Sequence, residues 1–273
     1  MNAGLGEKEI RLREILKEMG SCAVALSGGA DSTLLLAAAV EALGNKVLAV
    51  TARSSTFPER EIASALELSK ALGARHRIIL SEELDIAGFA ENPPDRCYYC
   101  KGELFRKLRE VAKEEGLSFV AEGSNVDDLG DYRPGRRALK EHGIRSPLEE
   151  AGLTKAEVRE LSRRRGLPTW DRPAMACLAS RFPYGTSITR EKLSQVDRAE
   201  ESLRGLGLRE VRVRHHGETA RIEVGGREVA KVALVMREEV VQLVKKAGFS
   251  YVALDLEGYR TGSMNEPLRF KSV

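Results

Sequence analysis

Short apolar runs alternate with helical segments through the first part of the chain, and this order constrains the fold most. The runs are CAVAL (22–26), KVLAVTA (46–52), RHRIIL (75–80) and LSFVAEGS (117–124), and each is separated from the next by a segment with helical spacing of apolar residues. Parallel strands need long crossover connections, which are usually helical and right-handed. The alternation therefore predicts an α/β fold, a parallel sheet with helices on both faces.

A second, smaller pattern begins after Thr186. A helical segment (190–207) is followed by a hairpin pattern, REVRVRHHGETARIEV (209–224), a long helical segment (227–248) and a strand pattern, FSYVALDLEGY (249–259). We therefore predict two domains, 1–185 and 186–273, the second a small α/β unit. Two polar segments, 81–100 and 124–150, interrupt the first pattern and are interpreted as functional insertions at strand ends.

Charge and hydropathy exclude some classes of function. The chain has 44 Lys and Arg against 41 Asp and Glu, so its net charge of +3 is too small to indicate a nucleic-acid partner. No apolar run reaches the roughly 18 residues that a membrane span needs. The charged start lacks the apolar stretch of a secretory signal. We predict a cytoplasmic protein with no membrane partner.

The segment Ser27-Gly28-Gly29-Ala30-Asp31-Ser32 lies between a predicted strand and a predicted helix. Two glycines allow a tight turn that brings backbone N–H groups close to an anion, and the helix N-terminus adds a positive dipole. The spacing is neither that of a Walker P-loop nor that of a dinucleotide-binding loop. The pattern favours a phosphate-binding loop over a serine-capped turn.

These six residues match the SGGxDS signature and so resemble the PP-loop ATP pyrophosphatases. The resemblance implies an enzyme that binds ATP through Ser27, Gly28, Gly29, Asp31 and Ser32, adenylates its substrate and releases pyrophosphate, with Asp31 linked to Mg²⁺.

Other parts of the ATP pocket are expected at neighbouring strand ends. Ligands of open α/β sheets lie beyond the carboxyl ends of the strands. The backbone from Thr51 to Arg53 should therefore meet the base, and Gly123 should border the same pocket.

Three longer segments resemble the LarE family of ATP-dependent sulfur transferases. They are EGSNVDDLGDYRPGRRALKEHGIRSPL (122–148), RPAMACLASRFPYGTSIT (172–189) and VRVRHHGETARIEV (211–224). The resemblance implies sulfur insertion into a small mononucleotide, pyridinium-3,5-biscarboxylic acid mononucleotide, on the way to the nickel-pincer cofactor of lactate racemase. It also implies a sulfide or sulfur donor, and a homo-oligomer assembled through the C-terminal unit. The chemistry is reasonable, because adenylation gives a carboxylate a good leaving group that a sulfur nucleophile can displace.

Three of the four cysteines are candidates for sulfur chemistry. Cys97 and Cys100 form a CxxC pair near a predicted helix start, Cys177 follows much later, and Cys22 lies in an apolar run and is interpreted as a buried thiol. Structural zinc usually takes four ligands, whereas three thiolates suit a [4Fe–4S] cluster with one open iron. This arrangement resembles the cluster-binding branch of the LarE family and the iron–sulfur tRNA 2-thiocytidine synthetases.

The source of the sulfur stays open at this point. In another branch of the LarE family, which lacks the CxxC pair, the cysteine equivalent to Cys177 is sacrificed and becomes dehydroalanine. Arginines close to Cys177 in sequence would favour its thiolate. A cluster on Cys97, Cys100 and Cys177 is our prediction, with a sacrificial Cys177, a zinc site or a structural pair as alternatives. A PP-loop enzyme that thiolates tRNA is the alternative function.

Further charged residues lie in the segments that carry the resemblance. Arginines there suit the substrate phosphate, a glutamate suits a metal, and the loop after the fourth strand suits an active site. The candidates are Arg181, Arg214 and Arg221 for phosphate, and Asp127, Arg133, Glu200 and Glu223 for other roles. A solvated hairpin or a hydrogen-bonded turn would show the same residues.

Overall fold

The computed structural model describes residues 4–130, 134–173, 176–260 and 262–266. The chain divides into two compact units, Met1–Glu82 with Asp95–Met175 and Glu83–Pro94 with Ala176–Val273. The second unit thus takes in a short stretch from the first half of the chain. The predicted domain boundary at residue 185 stays a prediction.

The first unit contains a four-stranded parallel sheet. Its strands are β1 (Cys22–Ala25), β2 (Val47–Arg53), β3 (Arg75–Leu80) and β4 (Phe119–Ala121), in the order β3-β2-β1-β4. Every pair of neighbouring strands is parallel. The α/β fold class predicted from the sequence is confirmed.

Helices cover both faces of this sheet. They are α1 (Leu5–Met19), α2 (Ala30–Leu43), α3 (Glu59–Ala71), α4 (Arg96–Glu114), α5 (Gly135–Glu141), α6 (Pro147–Glu150) and α7 (Lys155–Arg164). Successive residues of β1 point to opposite faces. Cys22 and Val24 pack with residues of α1, α2 and α7, whereas Ala23 packs with residues of α4 and α5. Burial on both faces explains why β1 is a continuous apolar run.

The polar segment 124–150 is more regular than the sequence indicated. It contains α5 and α6 as well as a 3₁₀ turn, Val126–Gly130. Ala138 and Leu139 of α5 are buried in the same cluster as Phe105 of α4. This segment therefore contributes to the core. The sequence did not show this, because two short helices between polar loops give no clear helical periodicity.

The second unit contains a three-stranded sheet. Its elements are α8 (Arg190–Gly205), β5 (Val211–His216), β6 (Thr219–Val224), α9 (Val229–Leu234), α10 (Arg237–Lys246) and β7 (Tyr251–Leu254). β5 and β6 form the predicted antiparallel hairpin, and β7 lies parallel to β6.

The prediction of one helix over 227–248 is wrong, because the chain breaks between α9 and α10. The N–H of Met236 donates to the carbonyl of Lys231, five residues back. Buried Val232, Met236, Val240 and Val244 recur every four residues. In a straight α-helix, each step of four residues goes about 40° beyond a full turn, so a face defined by such steps drifts around the helix. The break offsets this drift, so that Val232 of α9 and Val240 and Val244 of α10 are all buried, whereas Leu234 of α9 is 83% exposed.

In the part of the chain that the structure describes, no helix has the length and apolar character needed to cross a bilayer.

Candidate active site

The glycine loop joins β1 to α2 in an anion-binding geometry. Gly28 has φ of 72°, a left-handed conformation that favours glycine. Gly29 precedes α2 in an extended conformation and, among the described residues, no side chain caps the helix there. The first N–H groups of a helix have no partner within it, and its dipole is positive at that end. The start of α2 is therefore open to a phosphate.

Two serines close the loop on itself. The N–H of Ser27 donates to Oγ of Ser32 over 3.2 Å, and the two hydroxyl oxygens lie 3.1 Å apart. Oγ of Ser32 also donates to the carbonyl of Gly29 over 3.3 Å. These bonds hold the glycines between the two serines in a fixed turn.

The end of β2 supports the beginning of the loop. Oγ1 of Thr51 donates to the carbonyl of Leu26 over 2.8 Å and lies 2.9 Å from Nε2 of His76. Burial lowers the pKa of His76, so its ring adds no charge near the loop at neutral pH. Arg53 lies at the strand end and pairs with Glu59 over 3.1 Å. Contact of Thr51 and Arg53 with the base stays a prediction.

Gly123 lies against the first turn of α2. A Cβ atom built there would be 2.9 Å from the backbone nitrogen of Ser32 and 3.2 Å from Cβ of Asp31. Real Cβ atoms do not approach backbone so closely. A side chain at this position would push the end of β4 away from the loop.

The carboxylate of Asp31 is held by two side chains that sequence analysis did not single out. Nζ of Lys155 forms an ion pair with Oδ2, and Nδ2 of Asn125 donates to Oδ1 over 3.2 Å. Asn125 is buried, and its Oδ1 accepts the N–H of Asp127 over 3.0 Å. Oδ2 of Asp127 accepts the N–H of Lys155 over 2.9 Å. The candidate Asp127 thus positions the lysine.

An arginine holds the loop from its other side. Nη1 of Arg172 donates to the carbonyl of Gly28 over 2.9 Å and to Oγ of Ser64 over 3.1 Å. Nη2 donates to Oε2 of Glu61 over 2.7 Å, and Glu61 is only 3% exposed. Arg172 is one of the arginines close to Cys177 in sequence. The structure places its guanidinium against the glycine loop. Arg133 lies outside the described residues.

The CxxC pair occupies the first turn of α4. The helix begins at Arg96, so Cys97 and Cys100 are one turn apart near its positive end, and neither is buried. Cys22 is buried in β1, and burial raises the pKa of its thiol to about 12. Cys22 therefore stays protonated and is a poor metal ligand.

The third candidate, Cys177, belongs to the second unit. It is half-buried and precedes the 3₁₀ turn Leu178–Arg181, where Nη1 of Arg181 donates to its carbonyl over 3.0 Å. The arginine thus contacts the backbone of this cysteine. Within the described ranges, no group of three or more His, Cys, Asp or Glu side chains is placed to hold a metal ion.

Arg181 and Glu200 form a buried ion pair. Nε of Arg181 donates to one carboxylate oxygen over 2.8 Å and Nη2 donates to the other over 3.0 Å, and both residues are at most 1% exposed. Burial alone would raise the pKa of Glu200, but the charges of Arg181, Arg204 and Arg212 lower it to about 2. This pairing favours a structural role for Arg181 and Glu200, and their predicted ligand roles stay predictions.

A second network joins the strands of the hairpin. The carboxylate of buried Glu223 accepts two hydrogen bonds. Nη2 of Arg214 donates to its Oε2 over 2.6 Å, and Nη2 of Arg221 donates to its Oε1 over 3.0 Å. Arg214 is 5% exposed, whereas the side chain of Arg221 is 34% exposed. Of the three predicted phosphate ligands, Arg221 is the most accessible.

Comparison with known proteins agrees with the geometry of the loop. Residues 12–96, which include it, match the asparagine synthase family model. The chain is 44% identical over 97% of its length to an uncharacterised protein of Synechocystis, of which it covers 99%. It is 40% identical over 97% of its length to the pyridinium-3,5-bisthiocarboxylic acid mononucleotide synthase of Lactiplantibacillus plantarum, of which it covers 96%.

A more distant relative shares only part of the chain. GMP synthase of Aeropyrum pernix is 28% identical over 71% of this chain, which covers 41% of that protein. The wider similarity indicates a shared ATP-cleaving core, whereas the closer one extends through both units. With the SGGADS loop open at the start of α2, these matches show that the chain is an ATP-dependent enzyme of the LarE family of sulfur transferases, within the PP-loop ATP pyrophosphatases.

Proposed function

We propose that this enzyme converts pyridinium-3,5-biscarboxylic acid mononucleotide into the bisthiocarboxylic acid mononucleotide, for the nickel-pincer cofactor of lactate racemase. The observation that carries the proposal is the 40% identity, over 96% of its length, to the synthase of L. plantarum named for that product. The open start of α2 and the carboxylate of Asp31 supply the means to bind Mg²⁺-ATP.

The first step is adenylation. A carboxylate oxygen of the substrate attacks the α-phosphorus of ATP, the bond to the β-phosphate oxygen breaks, and pyrophosphate leaves with that electron pair. The glycine loop and the first turn of α2 would hold the phosphates, and Asp31 would hold the Mg²⁺ that accompanies them. The product is an acyl adenylate, whose carbonyl carbon accepts a nucleophile.

The second step replaces oxygen by sulfur. Hydrosulfide attacks the carbonyl carbon, AMP leaves with the carbon–oxygen bond pair, and the thioacid loses its proton to give a thiocarboxylate. Each carboxylate therefore consumes one ATP and one sulfide.

For the sulfur site we propose a [4Fe–4S] cluster held by Cys97, Cys100 and Cys177. The number of donors supports the proposal, because three thiols remain once the buried, protonated thiol of Cys22 is set aside, although the structure does not gather these three into one group. Two of them project from one turn of α4. Such a cluster would supply an open iron on which sulfide could be held and replaced. The chain's own contribution would be to present three thiols as ligands and to keep the fourth cysteine, Cys22, out of the ligand set.

One reaction tests the substrate and the cleavage site on ATP. Protein purified anaerobically is incubated with the mononucleotide, Mg²⁺-ATP and sulfide, and products are identified by mass spectrometry. We expect the thiocarboxylate, AMP and pyrophosphate. ADP and orthophosphate would contradict the cleavage step. Sulfur in added tRNA, with none in the mononucleotide, would make this a tRNA-thiolating enzyme instead.

A second measurement separates the two sources of sulfur. Iron content, absorption spectrum and protein mass are recorded before and after turnover for the wild type and for Cys97→Ala, Cys100→Ala and Cys177→Ala. A cluster predicts several products per chain, unchanged protein mass, and loss of iron in each variant. Dehydroalanine at position 177, with one sulfur transferred per chain, would show that Cys177 is sacrificed and that the other two cysteines are a structural pair.

The remaining features of the proposal concern the whole molecule. We infer that the C-terminal domain, 186–273, serves in assembly of a homo-oligomer and in substrate binding, with Arg221 as the accessible phosphate ligand. Exposed and half-buried thiols suit a reducing compartment, so we place the protein in the cytoplasm. Light scattering on the purified protein tests the assembly, and a monomer would refute it.

A further inference from the structure

We propose that Asn92 is a positioning residue for sulfur transfer, which holds the segment after Cys177 and so fixes where that thiol lies. Both residues belong to the second unit, Asn92 through the stretch 83–94 that this unit takes from the first half of the chain. The inference rests on the proposed role of Cys177 in sulfur transfer. It is the same for a cluster ligand and for a sacrificial cysteine.

The backbone of Asn92 is held in an uncommon conformation. Its φ is 57°, and among the residues that the structure describes it is the only one other than glycine in the left-handed region. Asparagine tolerates this region better than most residues. Pro93 follows, and a residue before proline normally has an extended backbone. Such a conformation persists only where the surroundings enforce it, and conformations of this kind cluster at functional sites.

The side chain of Asn92 is fully buried and binds the main chain that follows Cys177. It is 0% exposed, and its Nδ2 donates to the carbonyl of Phe182 over 3.2 Å and to that of Pro183 over 2.7 Å. The carbonyl of Asn92 accepts the N–H of Gly185 over 3.0 Å. Removal of the amide would leave two carbonyls without this donor, which is costly in a buried place. Asn92 therefore ties this segment firmly.

The tied segment is continuous with the turn that carries Cys177. The carbonyl of Cys177 accepts the N–H of Ser180 over 3.0 Å and its Oγ over 2.8 Å. At the other end of the turn, the ring of Phe182 stacks on that of His215 in β5, with centroids 5.0 Å apart. The turn is thus closed at its beginning, and Asn92 holds the backbone at its end. The position of Cys177 therefore depends on Asn92.

Sequence position connects the same tie to the CxxC pair. Asn92 lies five residues before Cys97, and Phe182 lies five residues after Cys177. Two prolines follow Asn92 directly, and each fixes φ near −65°, which stiffens the chain towards Cys97. One residue thus joins the segments that lead to both parts of the proposed sulfur site. This placement favours a role at that site over a role in the core of the second unit alone.

Alkylation of the full-length, iron-free protein tests the tie without substrate. The wild type, Asn92→Gly and Val244→Ala are treated anaerobically with iodoacetamide, and the rate at Cys177 is followed by peptide mass mapping. Glycine accepts the left-handed backbone, so Asn92→Gly removes the amide without adding strain. Val244→Ala is the matched control, because it shortens a side chain that is 0% exposed in α10, an element without a candidate cysteine. Urea denaturation checks that both variants are folded.

We expect Cys177 to react about tenfold faster in Asn92→Gly, as for the lost hydrogen bonds of one buried amide, because local opening sets the rate. Val244→Ala should react like the wild type. In the complete reaction, the rate constant of thiocarboxylate formation should fall about tenfold in Asn92→Gly, with the KM for ATP unchanged because the glycine loop belongs to the first unit.

Equal alkylation rates in Asn92→Gly and Val244→Ala would overturn the proposal. Faster alkylation with an unchanged rate of sulfur transfer would also overturn it, because Asn92 would then have a structural role only. A wild type that does not thiolate the mononucleotide would refute the proposed function instead. The alkylation rates, which need no substrate, would still decide whether Asn92 holds Cys177.

Discussion

Replacement of Arg172 by methionine would leave a buried carboxylate without its closest cation. Glu61 is 3% exposed, and Arg172 contacts one of its oxygens over 2.7 Å. The same guanidinium donates to the carbonyl of Gly28 and to Oγ of Ser64. Methionine keeps much of the length of the side chain but removes the charge and all three hydrogen bonds. The loop and α3 would both lose a partner.

The expected loss of stability follows from this burial. Removal of one member of a buried ion pair costs about 3–5 kcal/mol. Two features of the site reduce the value: the side chain of Arg172 is 25% exposed, and Nε of Arg60 lies 3.7 Å from the other oxygen of Glu61. We therefore expect the free energy of unfolding to fall by about 2–3 kcal/mol.

Urea denaturation of Arg172→Met, Glu61→Gln and the double variant measures this effect and its cause. If the ion pair is the origin of the effect, the loss of stability in the double variant should be smaller than the sum of the two single losses by about 1–2 kcal/mol. Arg165→Met is the control, because its partners Glu9 and Glu41 are 32% and 53% exposed and their loss should cost about 1 kcal/mol or less. Additive losses, or equal losses for Arg172→Met and the control, would refute the reasoning. The KM for ATP should also rise in Arg172→Met and should stay unchanged in the control Arg165→Met.

Three further predictions follow from burial and close contact. Glu200→Gln should lower the free energy of unfolding by about 3–5 kcal/mol at neutral pH. Because the pKa of Glu200 is lowered from 4.5 to about 2, its stabilising contribution is complete above pH 4.5 and is lost as the pH falls towards 2. Stability curves of the variant and the wild type that stay parallel over that pH range would contradict this prediction. Gly123→Ala should destabilise the protein by about 1–3 kcal/mol and weaken ATP binding, whereas Gly6→Ala, with open space around it, should do neither in urea and binding assays. Cys22, with its pKa of about 12, should resist iodoacetamide at pH 8 while Cys97 reacts, as peptide mass mapping of the folded protein would show.

The order of strands and helices in the first unit, and the loop between β1 and α2, could be predicted from the sequence. Both are local features. A strand buried on two faces needs a continuous apolar run, and a tight turn with φ of 72° favours the glycine found at position 28. The glycine pair between two serines therefore indicated a phosphate loop before its geometry was known. The break at residues 235–236 was missed because it is not a local feature. It depends on what α9 and α10 pack against, which the sequence pattern does not show.

Only the tertiary structure decided which charges surround that loop. Lys155 lies 124 residues from Asp31 in sequence, and Arg172 lies 144 residues from Gly28. In sequence, Lys155 is an ordinary first-turn residue of a polar helix, and Arg172 precedes a proline in an irregular segment. Periodicity reports which face of a helix is buried, but not which helix end meets which strand end. That pairing depends on the packing of α2, α3 and α7 around one sheet, where long-range contacts choose the partners of each charge.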